Sequence, residues 1–396
     1  MPKVQPKLRD VYVIGVGMTP FARHGEKTVV DLGGAAIREA LEDAGLPFEA
    51  MEAAWCGYVM QGSTAGQKVV GSVGQTGIPV MNVENACASG TTAFRGAYMQ
   101  VASGIADAAV AIGFEKMGRG ALPMPTTPGQ KPAAPPKQEA KPAGGEPEKK
   151  PVPAFPGLFA ALFRAHSERY GTTVEQMAKV GVKNHHNGSL NPRAQYRDEY
   201  SVQQVLEARE IADPLTVLMC CPTGSGSAAA ILCSEDVARQ AGGEAIKILA
   251  STLVSDTANP GGDPLHPVIE INTRAAAMAY GLAGVKPDDI DVCELHDCFA
   301  IAEIVHYENL GFCERGAGGE FIDQGMSAIG GEVAVNPSGG LLAKGHPLGA
   351  TGVAQVFEIV TQLRGEAGER HVAGAELGLT HCQGFGGATG VHIFAK

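Results

Sequence analysis

The sequence has no run of about 18 uncharged apolar residues, so no membrane-spanning helix is expected. Its opening stretch, MPKVQPKLRD, lacks the apolar core of a secretory signal, and its last three residues, Phe394-Ala395-Lys396, are not the Ser-Lys-Leu peroxisomal address. A disulfide framework is equally unsupported. The nine cysteines are odd in number and show no repeated Cys-x-x-Cys spacing; Cys220 and Cys221 are adjacent, and most of the others sit in apolar runs. They read as reduced thiols, and the expected location is cytoplasmic. Positive charge is scarce: 31 Lys and Arg against 42 Asp and Glu leave a net charge of −11. That argues against nucleic acid as a partner, and an anionic ligand would need a local basic patch. Charged residues make up only 18% of the chain and hydrophobic residues 44%, so its 396 residues can bury a large core and suit two fused domains.

Glycine is plentiful, at 53 residues, as in proteins with many close backbone approaches. Residues 11–17 read as a buried strand, 31–45 as a helix, 53–59 as a second strand, 91–104 as a helix of small residues and 108–113 as a short strand. This alternation predicts an α/β fold with a mostly parallel sheet. Residues 121–156 break it: they hold eleven of the 25 prolines, mixed with Lys, Glu, Ala and Gly, and read as an extended surface insertion. Residues 157–213 look helical and polar, a separate cap, with strands expected again at 215–220 and 228–232. The second half repeats the first. Residues 36–45, then Leu46-Pro47, resemble 275–284, then Val285-Lys286-Pro287, and each is followed by an apolar strand, 53–59 or 291–295. The loop Cys220-Pro-Thr-Gly-Ser-Gly likewise resembles Cys382-Gln-Gly-Phe-Gly-Gly, each leading into an Ala-containing strand.

Three motifs carry chemistry. Asn85-Ala86-Cys87-Ala88-Ser89-Gly90 lies between a strand and a helix, where the helix dipole lowers a thiol pKa below its usual value of about 8.5. A lone buried cysteine is more often a small apolar core residue. His346 stands in Gly345-His346-Pro347-Leu348-Gly349, a glycine-rich loop, and suits a base that activates a thiol; a turn histidine bonded to backbone is the plainer reading. His296-Asp297-Cys298-Phe299 and Cys382-Gln383-Gly384 each bring another thiol, able to move a proton beside a carbonyl, with Asp297 a candidate to orient His296. The cysteines and histidines lack the close spacing of zinc ligands, so no metal is expected.

With these motifs the sequence resembles the thiolase superfamily, in the branch typified by the thiolase domain of sterol carrier protein X. His296-Asp297-Cys298-Phe299 resembles that branch, where other thiolases carry Asn-Glu-Ala-Phe. So do Tyr170-Gly171-Thr172, Lys183-Asn184-His185, Asn191-Pro192, Gln195, Asp198-Glu199-Tyr200-Ser201 and Cys220-Cys221-Pro222-Thr223. Thr223-Gly224-Ser225-Gly226-Ser227 departs from the usual Ser-Asp-Gly-Ala. The resemblance implies a duplicated, layered αβαβα fold with an inserted loop domain. Residues 1–117 and 214–247 would form the first half, 118–213 the loop domain and 248–396 the second half. It implies Cys87 as the acyl-accepting nucleophile and His346 as its activator. His296 would take part in one oxyanion hole, and the N–H groups of Cys87 and Gly384 would form the other. The acid/base thiol is Cys382 or Cys298, with Cys382 preferred because Gly384 fixes its loop at the reacting centre.

The implied activity is cleavage or formation of 3-oxoacyl-CoA, in the degradative direction and on branched or aromatic acyl groups. Coenzyme A would be a substrate and no cofactor would be covalently bound. A homodimer or higher oligomer is implied, with a small zinc-ribbon/OB-fold acyl-CoA-binding protein as a candidate partner. Three rivals stand beside this: a retro-aldolase acting on β-hydroxyacyl-CoA, a ketoacyl synthase-like acyltransferase, and a non-catalytic partner subunit. The first tends to lose the nucleophile pair, and the second has no need of a second acid/base thiol.

Overall fold

The computed structural model describes residues 8–118, 152–241, 244–259 and 261–396. The first apolar run forms β1 (Val11–Met18), almost wholly buried, as a central strand must be. The strands β2 (Ala53–Gly57), β3 (Val80–Val83) and β4 (Ala108–Lys116) follow. A small hairpin comes next, β5 (Glu210–Ala212) and β6 (Leu215–Thr216), and then β7 (Ser225–Ser234). The second half contributes β8 (Ile246–Ser255), β9 (Val292–Glu294), β10 (Ala334–Val335), β11 (Leu377–Gly384) and β12 (Ala388–Ala395).

Ten of these strands form one sheet in the order β10-β9-β11-β12-β8-β1-β7-β4-β2-β3. Counted outward from its centre, the first half runs β1-β7-β4-β2-β3 and the second β8-β12-β11-β9-β10. Each strand thus has a counterpart at the same place and in the same chain order, which is the duplication suggested by the repeated segments. Within the sheet, the strands of the two halves pair where β1 meets β8, at Tyr12 with Lys247 and Val13 with Ile246.

Three expectations need correction. The sheet is mixed, because β1-β7, β7-β4, β1-β8, β8-β12 and β12-β11 are all antiparallel. Strand–helix alternation reveals the parallel units but not β7, which returns long after β4 and inserts between β1 and β4, nor β12, which turns back from β11 in a hairpin and inserts between β11 and β8. The run 215–220 is a strand only at Leu215–Thr216; Val217–Met219 is a single 3-10 turn, and Cys220 makes one bridge, to Phe299. Of the expected 121–156 insertion, residues up to 151 lie outside the described ones, and Ala154, Phe155 and Pro156 already form the first turn of the helix Ala154–Tyr170.

Helix Val29–Ala44 opens with a capping box, Thr28 and Asp31 bonding each other's backbone N–H, and ends on left-handed Gly45. It covers the first half of the sheet, while its counterpart His266–Ala283, ending on left-handed Gly284, covers the second. Between the halves lie Ser89–Ala102 and Thr351–Leu363, packed on each other and on strands of both halves. Every residue of Thr351–Leu363 is buried, as its place in a central layer demands. The layers therefore run αβαβα. Helices Ala154–Tyr170, Val174–Ser189 and Val202–Glu207, with the β5-β6 hairpin, lie in the chain between β4 and β7, and the first two pack against Ala300–Asn309 of the second half.

Candidate active site

Cys87 stands just ahead of the central helix Ser89–Ala102. Before it, Ala86 takes a φ of 49°, a left-handed conformation that costs a side-chain-bearing residue energy. Hydrogen bonds hold the turn: Asn85 N–H donates to Ser89 Oγ at 2.9 Å, Ser89 Oγ–H donates to the Ala86 carbonyl at 2.7 Å, and Asn85 Nδ2 donates to Thr92 Oγ1 at 2.9 Å. Cys87 stays partly exposed while Ala88 and Ser89 are buried. In the first turn of the helix, a Cβ on Gly90 would sit 2.7 Å from the Gly349 carbonyl oxygen, so the absence of a side chain lets the 345–352 loop close on Cys87.

That loop delivers His346. Its Nε2 lies 3.3 Å from Cys87 Sγ and its Nδ1 lies 2.8 Å from Thr351 Oγ1. The Thr351 hydroxyl donates its one proton to the Pro347 carbonyl at 3.0 Å, so toward His346 it accepts. The ring hydrogen therefore sits on Nδ1, and Nε2 turns its lone pair to the thiol. Desolvation, with the neighbouring His296, holds the His346 imidazole well below its usual pKa. Burial pushes the Cys87 thiol up to about 12, although the N–H groups of Phe385 and of Cys87 itself pull the other way. Desolvation thus opposes the helix N-terminus at this thiol and favours its neutral form, while it also favours the neutral imidazole of His346.

The remaining candidates gather around this pair. The Cys382 thiol donates to the Cys87 carbonyl at 3.1 Å. Gly384 ends β11 against the Cys87 turn, where a Cβ would come within 2.1 Å of the Asn85 carbonyl oxygen. Cys298 is buried and its carbonyl accepts the Cys221 N–H at 3.0 Å, but its thiol makes no hydrogen bond among the described residues. Burial raises the thiol pKa of both Cys298 and Cys382, and a thiolate at Cys87 would add to the rise at each. His296 stands edge-on to His346, ring centroids 5.2 Å apart, with its buried Nε2 unpartnered among the described residues. Burial holds its pKa down to about 3, so it is neutral. One ligand atom each of Cys87, His296 and His346 lies within 4.8 Å of the others. Local ligand spacing in the sequence could not show this, because the fold assembles the group from distant loops.

Several supporting residues escaped the sequence reading. His381 Nδ1 accepts the His296 backbone N–H at 3.4 Å, and His381 Nε2 donates to Asn272 Oδ1 at 2.7 Å. Asp297 does not orient a histidine. Its carboxylate accepts the N–H groups of Leu341 and Leu342, at 2.7 and 3.3 Å, and Asn184 Nδ2 at 2.8 Å. It thus anchors the approach to His346, and burial and the nearby Glu303 raise its pKa. Glu303 accepts Asn184 Nδ2 at 2.6 Å and Asn336 Nδ2 at 2.8 Å, and Lys183 Nζ lies 2.8 Å away. Glu294 closes the arrangement: its oxygens accept Ser338 N–H at 3.1 Å, Ser338 Oγ–H at 2.7 Å and Lys344 Nζ at 2.8 Å. Glu294 in an apolar strand and Lys344 beside the His346 loop were the available signals. Both are buried, so Lys344→Met should leave a lone carboxylate inside and cost about 3–5 kcal/mol. Denaturant unfolding measures this; a loss under about 1 kcal/mol, the range of an exposed pair, would contradict it.

The likeness to known proteins agrees with this geometry. Residues 11–236 match the family described as "Thiolase, N-terminal domain", and residues 266–396 match "Thiolase C-terminal domain-like". This chain belongs to the thiolase family. It is 42% identical to sterol carrier protein 2 of Bos taurus, over 98% of this chain and 73% of that protein. It is also 42% identical to the acetyl-CoA acetyltransferase of Methanothermobacter thermautotrophicus, over 98% of this chain and the whole of the other. Among solved structures, a chain of the Ltp2-ChsH2(DUF35) aldolase superposes with a TM-score of 0.80 at 21% identity, covering 98% of this chain and 97% of that one. That identity speaks for the fold alone. Thiolases of this family are acyltransferases, and the chain carries that enzyme class.

Proposed function

We propose that this thiolase cleaves 3-oxoacyl-CoA through an acyl-enzyme on Cys87. The observation that carries the reading is the 3.3 Å contact between Cys87 Sγ and the bare Nε2 of His346, with the Cys382 thiol 3.1 Å from the Cys87 carbonyl. In the forward step the thiol proton passes to His346 Nε2 and the sulfur attacks the β-carbonyl carbon. The Cα–Cβ bond breaks, its electron pair stays on Cα as an enolate, and the Cys382 thiol protonates it. The thiol of a second coenzyme A gives its proton to the Cys382 thiolate and its sulfur takes the acyl group; Cys87 leaves as thiolate and recovers its proton from His346, which restores the resting state. The unpartnered His296 Nε2 supports a role as donor to the thioester oxygen of the enolate, and the N–H groups of Cys87 and Gly384 would serve the other oxyanion.

The intact Cys87–His346 pair favours this over the retro-aldolase reading, and the second thiol at the centre favours it over a ketoacyl synthase. We extend the proposal to a cytoplasmic homodimer built at the free edge of β3, to branched or aromatic acyl groups, and to a small zinc-ribbon/OB-fold partner. The test is coenzyme A-dependent thiolysis of straight, branched and aromatic 3-oxoacyl-CoAs, with and without co-purified proteins. No thiolysis of any of them would contradict the proposal.

The two acid/base candidates separate on exchange of the substrate α-proton with deuterated water. Cys382→Ala should slow exchange about 10²–10⁴-fold, the usual worth of a positioned acid or base, while Cys298→Ala keeps most of it. Acylation of Cys87 by a simple acyl-CoA should survive both changes. Exchange lost in Cys298→Ala alone would transfer the role to Cys298.

A further inference from the structure

Cys87, His296 and His346 are a thiol and two imidazoles, the donor set that Zn²⁺ accepts readily. Zinc bonds of about 2.3 Å to sulfur and about 2.0–2.1 Å to nitrogen place tetrahedral ligand atoms about 3.4–3.6 Å apart. His346 Nε2 and Cys87 Sγ, at 3.3 Å, already stand close to that spacing. One ligand atom of each of the three residues lies within 4.8 Å of the others, so a modest closing of His296 on the pair would complete the group. His346 is oriented as a metal-bound histidine is, with Nδ1–H held by Thr351 at 2.8 Å and Nε2 free to ligate. His296 adds a second, independent observation: its Nε2 is buried without a partner among the described residues, beside the His346 ring. Such an orphan polar atom calls for a substrate group, a water or an ion. Cys87 is partly exposed, which leaves a way in.

We propose that these three residues form a reversible zinc site, and that Zn²⁺ shuts off catalysis by occupying the nucleophile. Binding breaks the Cys87 S–H bond, forms a sulfur–zinc bond and releases one proton to solvent. His346 donates its Nε2 lone pair, with its hydrogen held on Nδ1; His296 must carry its hydrogen on Nδ1 in the zinc form, the opposite tautomer to the one that donates to an oxyanion, and no electron is transferred. The fourth position is open to water. The binding stands on donor geometry alone; the inhibition rests on the role proposed for Cys87.

The test takes the intact chain, stripped with a chelator, and titrates it with Zn²⁺ alone against a chromophoric indicator and with Co²⁺ alone by absorption spectroscopy. One zinc per chain is expected, together with tetrahedral cobalt bands and a thiolate-to-cobalt charge-transfer band. Cys87→Ser should lose the charge-transfer band, and His296→Asn should weaken zinc binding about tenfold or more, at least what loss of a supporting residue costs at such sites. Zinc should stop thiolysis in the unmodified chain, with recovery on chelation. Octahedral cobalt without sulfur ligation, or unchanged zinc affinity in both variants, would overturn the site. Melting temperatures check each variant's fold. Should a variant fail to fold, the unmodified chain alkylated at Cys87 replaces it, and retained tight zinc binding there would equally overturn the site. Thiolysis absent even without zinc would count against the acyl-transfer reading, while the titrations would still decide the site.

Discussion

Cys87→Ser is expected to lose thiolysis by at least about 10⁴-fold, as replacement of a catalytic nucleophile generally does. The thiol already needs His346 to remove its proton, because burial pushes its pKa up to about 12. An alcohol in the same place is harder still to ionise, so neutral His346 cannot generate enough alkoxide to attack a carbonyl at neutral pH. Serine is close to isosteric and Cys87 is partly exposed, so the melting temperature should stay within a few degrees. Activity within tenfold of the parent chain would remove Cys87 from the mechanism.

His346→Gln should cost about 10²–10⁴-fold in the acylation step. Glutamine fills similar space but has no lone-pair nitrogen to take the thiol proton. Thr351→Val should give a smaller loss, because it frees Nδ1 and lets the ring adopt the wrong tautomer. The pH profile tests the same base. The reaction needs neutral His346, and its folded-state pKa is held well below the ordinary value of 6.5. Protonation therefore sets in only at a pH below that value, and acylation should stay level down through pH 6.5 before falling. The same depression lowers stability in acid: below pH 6.5 the unfolded chain takes up a proton on this histidine that the folded chain refuses. An acid limb centred at or above 6.5 would show that His346 is not the base, or that it is not buried when it acts.

Much of the architecture was legible because it rests on local pattern. The repeated helix-to-strand segments around Gly45 and Gly284 ended in the same left-handed caps and in strands at equivalent places of the two half-sheets. Cys87, His346, His296, Cys298 and Cys382 were legible as motifs, because several of the segments that carry them are short and rich in glycine or small residues. The antiparallel entry of β7 between β1 and β4, and of β12 beside β8, was not, since those pairings are distant in sequence. The support beneath the site was hidden for the same reason. Glu294 reaches Lys344, Asp297 reaches Leu341, and His381 reaches His296 only once the chain has folded. A helix terminus beside Cys87 can be read from sequence, whereas the burial that opposes its effect on the thiol cannot.

The most direct test of the account is peptide mapping by mass spectrometry after brief mixing with an acyl-CoA in the absence of an acceptor. The account predicts one acyl group per chain, on the peptide carrying Cys87, absent in Cys87→Ser and released by added coenzyme A. An acyl group on Cys298, on Cys382 or on no cysteine, in protein that turns substrate over, would contradict it.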